Sequence, residues 1–156
     1  METTQTISVE DRRRAARVLA AACEEELTEL WAQWPTRPEM EYMRPPEAGL
    51  VMVQGRIGGA GDRFNLGEAT VARATVVLRP EGAPEVMGTS YVLGSHPEHA
   101  GVAAIFDALL FTDERQRVLQ TVIEPLERAQ AQHDALRRAE ARSTVVDFFT
   151  VAREHE

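Results

Sequence analysis

Thr70-Val71-Ala72-Arg73-Ala74-Thr75-Val76-Val77-Leu78, then Pro80-Glu81-Gly82-Ala83-Pro84, then Val86-Met87-Gly88-Thr89-Ser90-Tyr91-Val92-Leu93 is the stretch that decides the fold class. Its runs are rich in β-branched residues and bounded by proline and glycine, which reads as two strands. A strand turns successive side chains to opposite faces. Thr70, Ala72, Ala74, Val76 and Leu78 therefore share one side, and Val71, Arg73, Thr75 and Val77 share the other. Both sides carry apolar residues, so a cover on each is expected. The five-residue connection is too short for a parallel crossover, which makes the pair an antiparallel hairpin.

Upstream, Leu50-Val51-Met52-Val53-Gln54-Gly55-Arg56-Ile57 reads as a third strand, joined to the second by a longer, glycine-rich link over residues 58–67. Helical spacing takes over on either side of this meander. Ser8 and Asp11 resemble a capping box, and Ala15, Val18, Leu19, Ala22, Leu27, Leu30, Trp31 and Trp34 then recur at helical intervals. This predicts a helix over residues 9–33, with Cys23 as a candidate interruption and Pro35 and Pro38 as the stop. The runs Arg12-Arg13-Arg14 and Glu24-Glu25-Glu26 on it read as solvated faces, and the Trp31/Trp34 pair as core.

After Pro97, the positions His99, Val102, Ala103, Phe106, Leu109 and Leu110 line one side of an amphipathic helix. A further helical stretch runs from Asp113 to Arg142, interrupted or restarted at Pro125. Its stripe of Leu126, Ala129, His133 and Leu136 is thin enough that a partner chain is expected to finish its burial. Thr144-Val145-Val146-Asp147-Phe148-Phe149-Thr150-Val151 is strand-forming and apolar, which makes residues 144–151 a docking segment and a candidate fourth strand. The expected architecture is one α+β domain over residues 1–156: an N-terminal helix, a small antiparallel sheet, then helices packed on it.

The 156-residue length suits one core. A formal net charge of −8, from 25 acidic and 17 basic side chains, works against nucleic acid and acidic membrane surfaces as partners. Cys23 is the only cysteine, so neither an internal disulfide nor a thiolate metal cage is available, which fits a reducing cytoplasm. Neither a secretory leader nor an 18-residue apolar run is visible.

Candidate chemistry concentrates in Arg56-Ile57-Gly58-Gly59-Ala60-Gly61-Asp62-Arg63-Phe64-Asn65-Leu66-Gly67-Glu68. Glycines let backbone N–H groups converge on an anion, and Arg56 and Arg63 add charge-assisted donors, so one reading is an anion site for a nucleotide or a phosphonate. The stretch is neither a Walker A loop nor a dinucleotide fingerprint, and the other reading is a hairpin loop or subunit contact. His96 and His99 straddle Pro97 without a third metal-ligand type nearby. Cys23 lies among glutamates, where negative charge opposes thiolate formation. Ser90 and Ser95 lack a nucleophile elbow. Glu68 and Asp107 could serve acid–base work, or could pair with Arg56, Arg63 or Arg73. No catalytic residue or metal ligand is assigned.

The glycine-rich stretch through Ala69-Thr70 with Arg73, then Gly88-Thr89-Ser90-Tyr91-Val92-Leu93-Gly94, His99-Ala100 with Phe106-Asp107-Ala108-Leu109-Leu110, Glu124-Pro125-Leu126, and Val146-Asp147-Phe148-Phe149-Thr150 together resemble the ordered blocks of the PhnG family. Ser95-His96-Pro97, Ala72 and Ala74 depart from the usual pattern. The resemblance implies a non-catalytic subunit of the bacterial carbon–phosphorus lyase core complex, working beside PhnH-, PhnI- and PhnJ-like chains. It further implies MgATP-dependent formation of a ribose 1-alkylphosphonate 5-triphosphate with loss of adenine. MgATP, S-adenosylmethionine and an iron–sulfur cluster would belong to the partner subunits, and the isolated chain is expected to self-associate.

Overall fold

The computed structural model describes residues 7–143; the segment 144–151, with Val146, Asp147, Phe148 and Phe149, lies outside the described residues. Elements run α1 (Val9–Ala20), α2 (Glu24–Ala32), β1 (Glu39–Arg56), a 3-10 turn (Ile57–Gly59), β2 (Arg63–Arg79), β3 (Val86–Leu93), α3 (Pro97–Leu109), α4 (Arg115–Val118), a π-helical turn (Leu119–Ile123) and α5 (Glu124–Ser143). The sheet is antiparallel in the order β1-β2-β3, so the α+β meander stands as read.

Ser8 caps α1, accepting from the Asp11 N–H at 3.0 Å while its hydroxyl donates to the Asp11 carboxylate at 2.7 Å. The helical stretch expected over residues 9–33 is divided at its candidate interruption, with α1 ending at Ala20 and α2 starting after Cys23. Cys23 is extended, with φ −71° and ψ 133°, and begins α2 as its N-cap. Glu24, Glu25 and Glu26 then fill the first turn of α2, where the helix dipole favours negative charge. That run belongs to a helix start rather than to a solvated face alone. Beyond the π-helical turn the α-helix restarts as expected: α5 begins at Glu124 and carries Pro125 in its first turn, where the missing N–H costs little.

β1 begins at Glu39, eleven residues before the strand read from the sequence, and carries Pro45 and Pro46 at a register shift between Arg44 and Glu47. A proline is tolerated there because β1 is an edge strand and the bulge spares the ladder. β2 begins at Arg63, so the second half of the expected 58–67 link is strand. Arg56 pairs with Arg63, Gln54 with Asn65 and Val53 with Gly67.

α3 lies on the sheet and is buried from His99 through Leu109, so it is not the one-sided amphipathic helix its spacing suggested. The inner sheet face of Ala72, Ala74, Val76, Leu78 and Val92 covers one side of it; Leu19, Leu27 and Trp34 on the α1–α2 side share the same core. Trp31 and Trp34 both meet the Phe106 ring edge-on, at 6.0 and 5.4 Å between centroids. At Gly88 a Cβ would stand 2.1 Å from the Ala104 carbonyl oxygen and 2.4 Å from the Ala108 nitrogen. The missing side chain is what lets α3 approach β3.

Among the described residues, no helix lies over the opposite sheet face. Met87, Tyr91 and Leu93 are 55%, 61% and 76% exposed there, which corrects the expectation of a cover on both sides.

Candidate functional site

β3 stops pairing where Leu93 meets Val71. Beyond that point, among the described residues, β1 and β2 continue by themselves to the Arg56/Arg63 pair, an arm about 23 Å long at a rise of roughly 3.3 Å per residue. Leu50, Val51, Met52, Val53, Phe64 and Leu66 on it are all exposed. Glycine closes its tip: Gly58 and Gly59 have φ of 59° and 80°, a region that favours residues without a Cβ. The Gly61 N–H donates to the Ile57 carbonyl at 2.8 Å.

Register sorts the arm into two unlike faces. Val51 with Ala69, Val53 with Gly67, and Gly55 with Phe64 form one. Leu66, the extra residue at the bulge, lies over Gly55 on that same side, its Cδ1 only 2.3 Å from where a Gly55 Cβ would be. This apolar face continues the uncovered outer side of the sheet at Val71 and Leu93. The other face starts with Leu50 and Met52 and turns polar outward, through Gln54 and Asn65, hydrogen-bonded at 3.1 Å, to Arg56 and Arg63.

The tip thus gathers Arg56, Gly58, Gly59, Gly61, Arg63, Phe64 and Asn65, with Gly67 and Glu68 further along β2. Arg73 does not join them. It lies about 33 Å inward along the strand and is held by Glu47 at 3.0 Å. Arg56 donates to the Gly61 carbonyl at 3.1 Å. Glu68 faces Met52 rather than an arginine.

A second cluster sits inside the body. Arg12 donates from Nε and Nη2 to the two oxygens of Asp107, at 3.1 and 2.7 Å, and the Thr89 N–H donates to Oδ2 at 2.9 Å. Asp107 is 2% exposed, and the hydrogen bond to it holds the Arg12 guanidinium above its ordinary pKa. The carboxylate thereby ties α1 to α3 and occupies an edge donor of β3. Asp107 pairs with none of Arg56, Arg63 or Arg73, and Arg12 is the partner the sequence reading missed. Only its place in a basic run signalled it. Arg14 also turns inward, to Glu127 on α5, so two of the three residues in that run are structural.

Ser90 donates to the Ala100 carbonyl at 2.5 Å and the buried His99 meets the Leu19 carbonyl through Nε2 at 2.7 Å, so both bind α3 to its neighbours. His96 turns away to Glu24 at 3.0 Å. Among the described residues, no group of three or more His, Cys, Asp or Glu side chains is arranged to hold a metal ion. An apolar cavity of about 590 Å³ lies between α1 and β3, with Asp107 and Arg12 in its wall; both charges are already engaged with each other.

Residues 10–154 match the family described as phosphonate metabolism protein PhnG. The chain belongs to the PhnG family. A relative from Rhizobium meliloti (strain 1021), the alpha-D-ribose 1-methylphosphonate 5-triphosphate synthase subunit PhnG, is 40% identical over 152 residues, covering 97% of this chain and 95% of that protein. As a PhnG-family chain it is a subunit in phosphonate catabolism, part of the carbon–phosphorus lyase core, and associates with other subunits of that complex. Of the blocks that carry the PhnG resemblance, Gly88, Ser90, His99 and Asp107 serve the α3 interface. Gly94, at φ 103°, turns the chain out of β3 while donating to the Thr70 carbonyl at 2.8 Å. Tyr91 faces outward beside Arg73. Among the described residues, the blocks on the arm make no such contact with the body.

Proposed function

We propose that the chain is an auxiliary, non-catalytic subunit that supports MgATP-dependent formation of α-D-ribose 1-alkylphosphonate 5-triphosphate, with adenine displaced, and the later scission of the carbon–phosphorus bond. Its partners are PhnI-, PhnJ- and PhnH-like chains in the cytoplasm, which carry MgATP, S-adenosylmethionine and the iron–sulfur cluster. The relative's name supports the reaction. The observation that carries the auxiliary role is the arm. A two-stranded ribbon is marginal in water, yet this one, with no third strand or helix beneath it among the described residues, exposes Val53, Phe64 and Leu66 at 42%, 45% and 64%. Burying such side chains contributes about 1.5–3 kcal/mol each before ordering costs, so a protein surface is the natural cover.

Co-expression with a tagged PhnI-like chain tests this. The wild type should co-elute, and a Phe64→Ser, Leu66→Ser double variant should be captured at least tenfold less, with its own melting temperature nearly unchanged. Equal capture of the variant sinks the role given to the arm. Turnover of a phosphonate or nucleotide by the isolated chain sinks the non-catalytic assignment.

A further inference from the structure

Arginines 44, 56, 63, 73 and 79 all lie on the β1–β2 hairpin, and the three nearer the body have glutamates to meet. Arg73 and Arg44 share Glu47, each at 3.0 Å. Arg79 reaches Glu41 and Glu85, both at 2.8 Å, and Glu39 at 3.7 Å. The Arg73–Glu47, Arg79–Glu41 and Arg79–Glu39 pairs join β1 to β2, opposite-charge pairing across strands that stabilises a sheet.

The tip reverses the pattern. Arg56 and Arg63 are directly opposite one another in the register, which places their Cβ atoms about 5 Å apart, and like charges so placed destabilise a ribbon. Neither forms an ion pair with any described residue: the Arg56 side chain is turned to a neutral carbonyl, and the Arg63 side chain makes no salt bridge or hydrogen bond among the described residues. Asp62 adjoins Arg63 in the chain, but it contributes its backbone carbonyl, not its carboxylate, to the turn, accepting from the Ile57 N–H at 3.5 Å. Glu68, on the same face, is about 16 Å along the strand from Arg63. Two adjacent guanidinium groups left uncompensated at the end of an arm need an anion from outside, and a tetrahedral oxyanion with several acceptor oxygens satisfies two planar donor forks together.

We infer that the arm has two tasks on its two faces: the apolar side seats it on a partner subunit, and the Arg56/Arg63 pair grips a phosphate-type oxyanion bound in the assembled complex. The inference rests on the auxiliary-subunit reading and adds a ligand contact to it. Glycines at 58 and 59 keep the tip slim enough to enter a site built by another chain. The body of the arm supplies reach.

The test uses the complex purified by co-expression with PhnI-, PhnJ- and PhnH-like chains, titrated calorimetrically with inorganic tripolyphosphate and, separately, with methylphosphonate. Arg63→Ala and Arg56→Ala should each leave subunit stoichiometry intact and weaken one of the two probes at least tenfold. Arg63→Lys should recover part of the loss, and Arg138→Ala, an exposed arginine on α5, should change nothing. The probe that weakens tells a triphosphate source from a phosphonate one. Intact assembly with both affinities unchanged overturns the inference. So does loss of assembly in Arg63→Ala, which would assign the pair to a carboxylate of the partner protein. Failure of the wild-type chain to co-purify at all would instead refute the subunit reading beneath it.

Discussion

Arg12 and Asp107, 95 positions apart, meet through two hydrogen bonds of 3.1 and 2.7 Å, while Asp107 also accepts from the Thr89 N–H. One carboxylate therefore joins α1, α3 and β3. Removing Arg12 leaves that charge 2% exposed and without its cation. Losing one member of a buried pair costs about 3–5 kcal/mol; Arg12 itself is 40% exposed, so water can reach the vacated space and about 2 kcal/mol is expected. Urea unfolding of Arg12→Ala measures it, and a loss below about 0.5 kcal/mol would show that the pair is not structural.

Gly88 admits no side chain. An added Cβ would meet backbone atoms of α3 at 2.1 and 2.4 Å, and backbone cannot swing aside as a flexible side chain can. Gly88→Ala should destabilise by about 3 kcal/mol, at the upper end of overpacking costs. The thermal midpoint reports this, and an unchanged midpoint would mean that α3 can lift from β3 at little cost.

Along α5 the apolar stripe is buried only at its start. Leu126 is 1% exposed and Leu136 66%. Leu126→Ala should cost about 2–4 kcal/mol, and Leu136→Ala less than about 0.5 kcal/mol in the isolated chain. Comparable losses from the two substitutions would place the second half of α5 against the body.

Glu127 is held below the ordinary glutamate pKa by the hydrogen bond from Arg14, and Glu47 by those from Arg73 and Arg44. A carboxyl depressed in the folded chain binds its proton more readily once unfolded, so stability rises with pH across this window. The contribution is complete above the unfolded value of about 4.3 and is lost as pH falls through the lowered folded values. Glu127→Gln should flatten the stability profile between about pH 5 and pH 3. A profile as steep as the wild type's would assign the acid sensitivity to other carboxyls.

Much of the scaffold is legible in local pattern. Alternation from Thr70 to Leu78, a Pro-Gly-Pro turn and a second β-branched run specify an antiparallel hairpin, because strand period and turn chemistry act over neighbouring residues. The same holds for the Ser8 cap and the helical spacing after Pro97. Pro45 and Pro46 hid the first half of β1: proline argues against a strand until the edge position and the bulge that tolerate it are known. The glycines from Gly58 to Gly67 read as a loop, although Arg63 to Gly67 pair with β1, since glycine content reports conformational freedom and not pairing.

By itself the amino-acid order determined the α+β class, the family and the residues that mark it. Tertiary structure alone decided that α3 is enclosed by the sheet and the α1–α2 layer, that no described helix covers the outer sheet face, that Asp107 belongs to Arg12, and that Arg56 faces Arg63 at the end of an arm. Periodicity is a property of adjacent residues and survives in the sequence. Which apolar face is covered, and which charges meet, depends on contacts between segments far apart in the chain, and those exist only once the chain has packed.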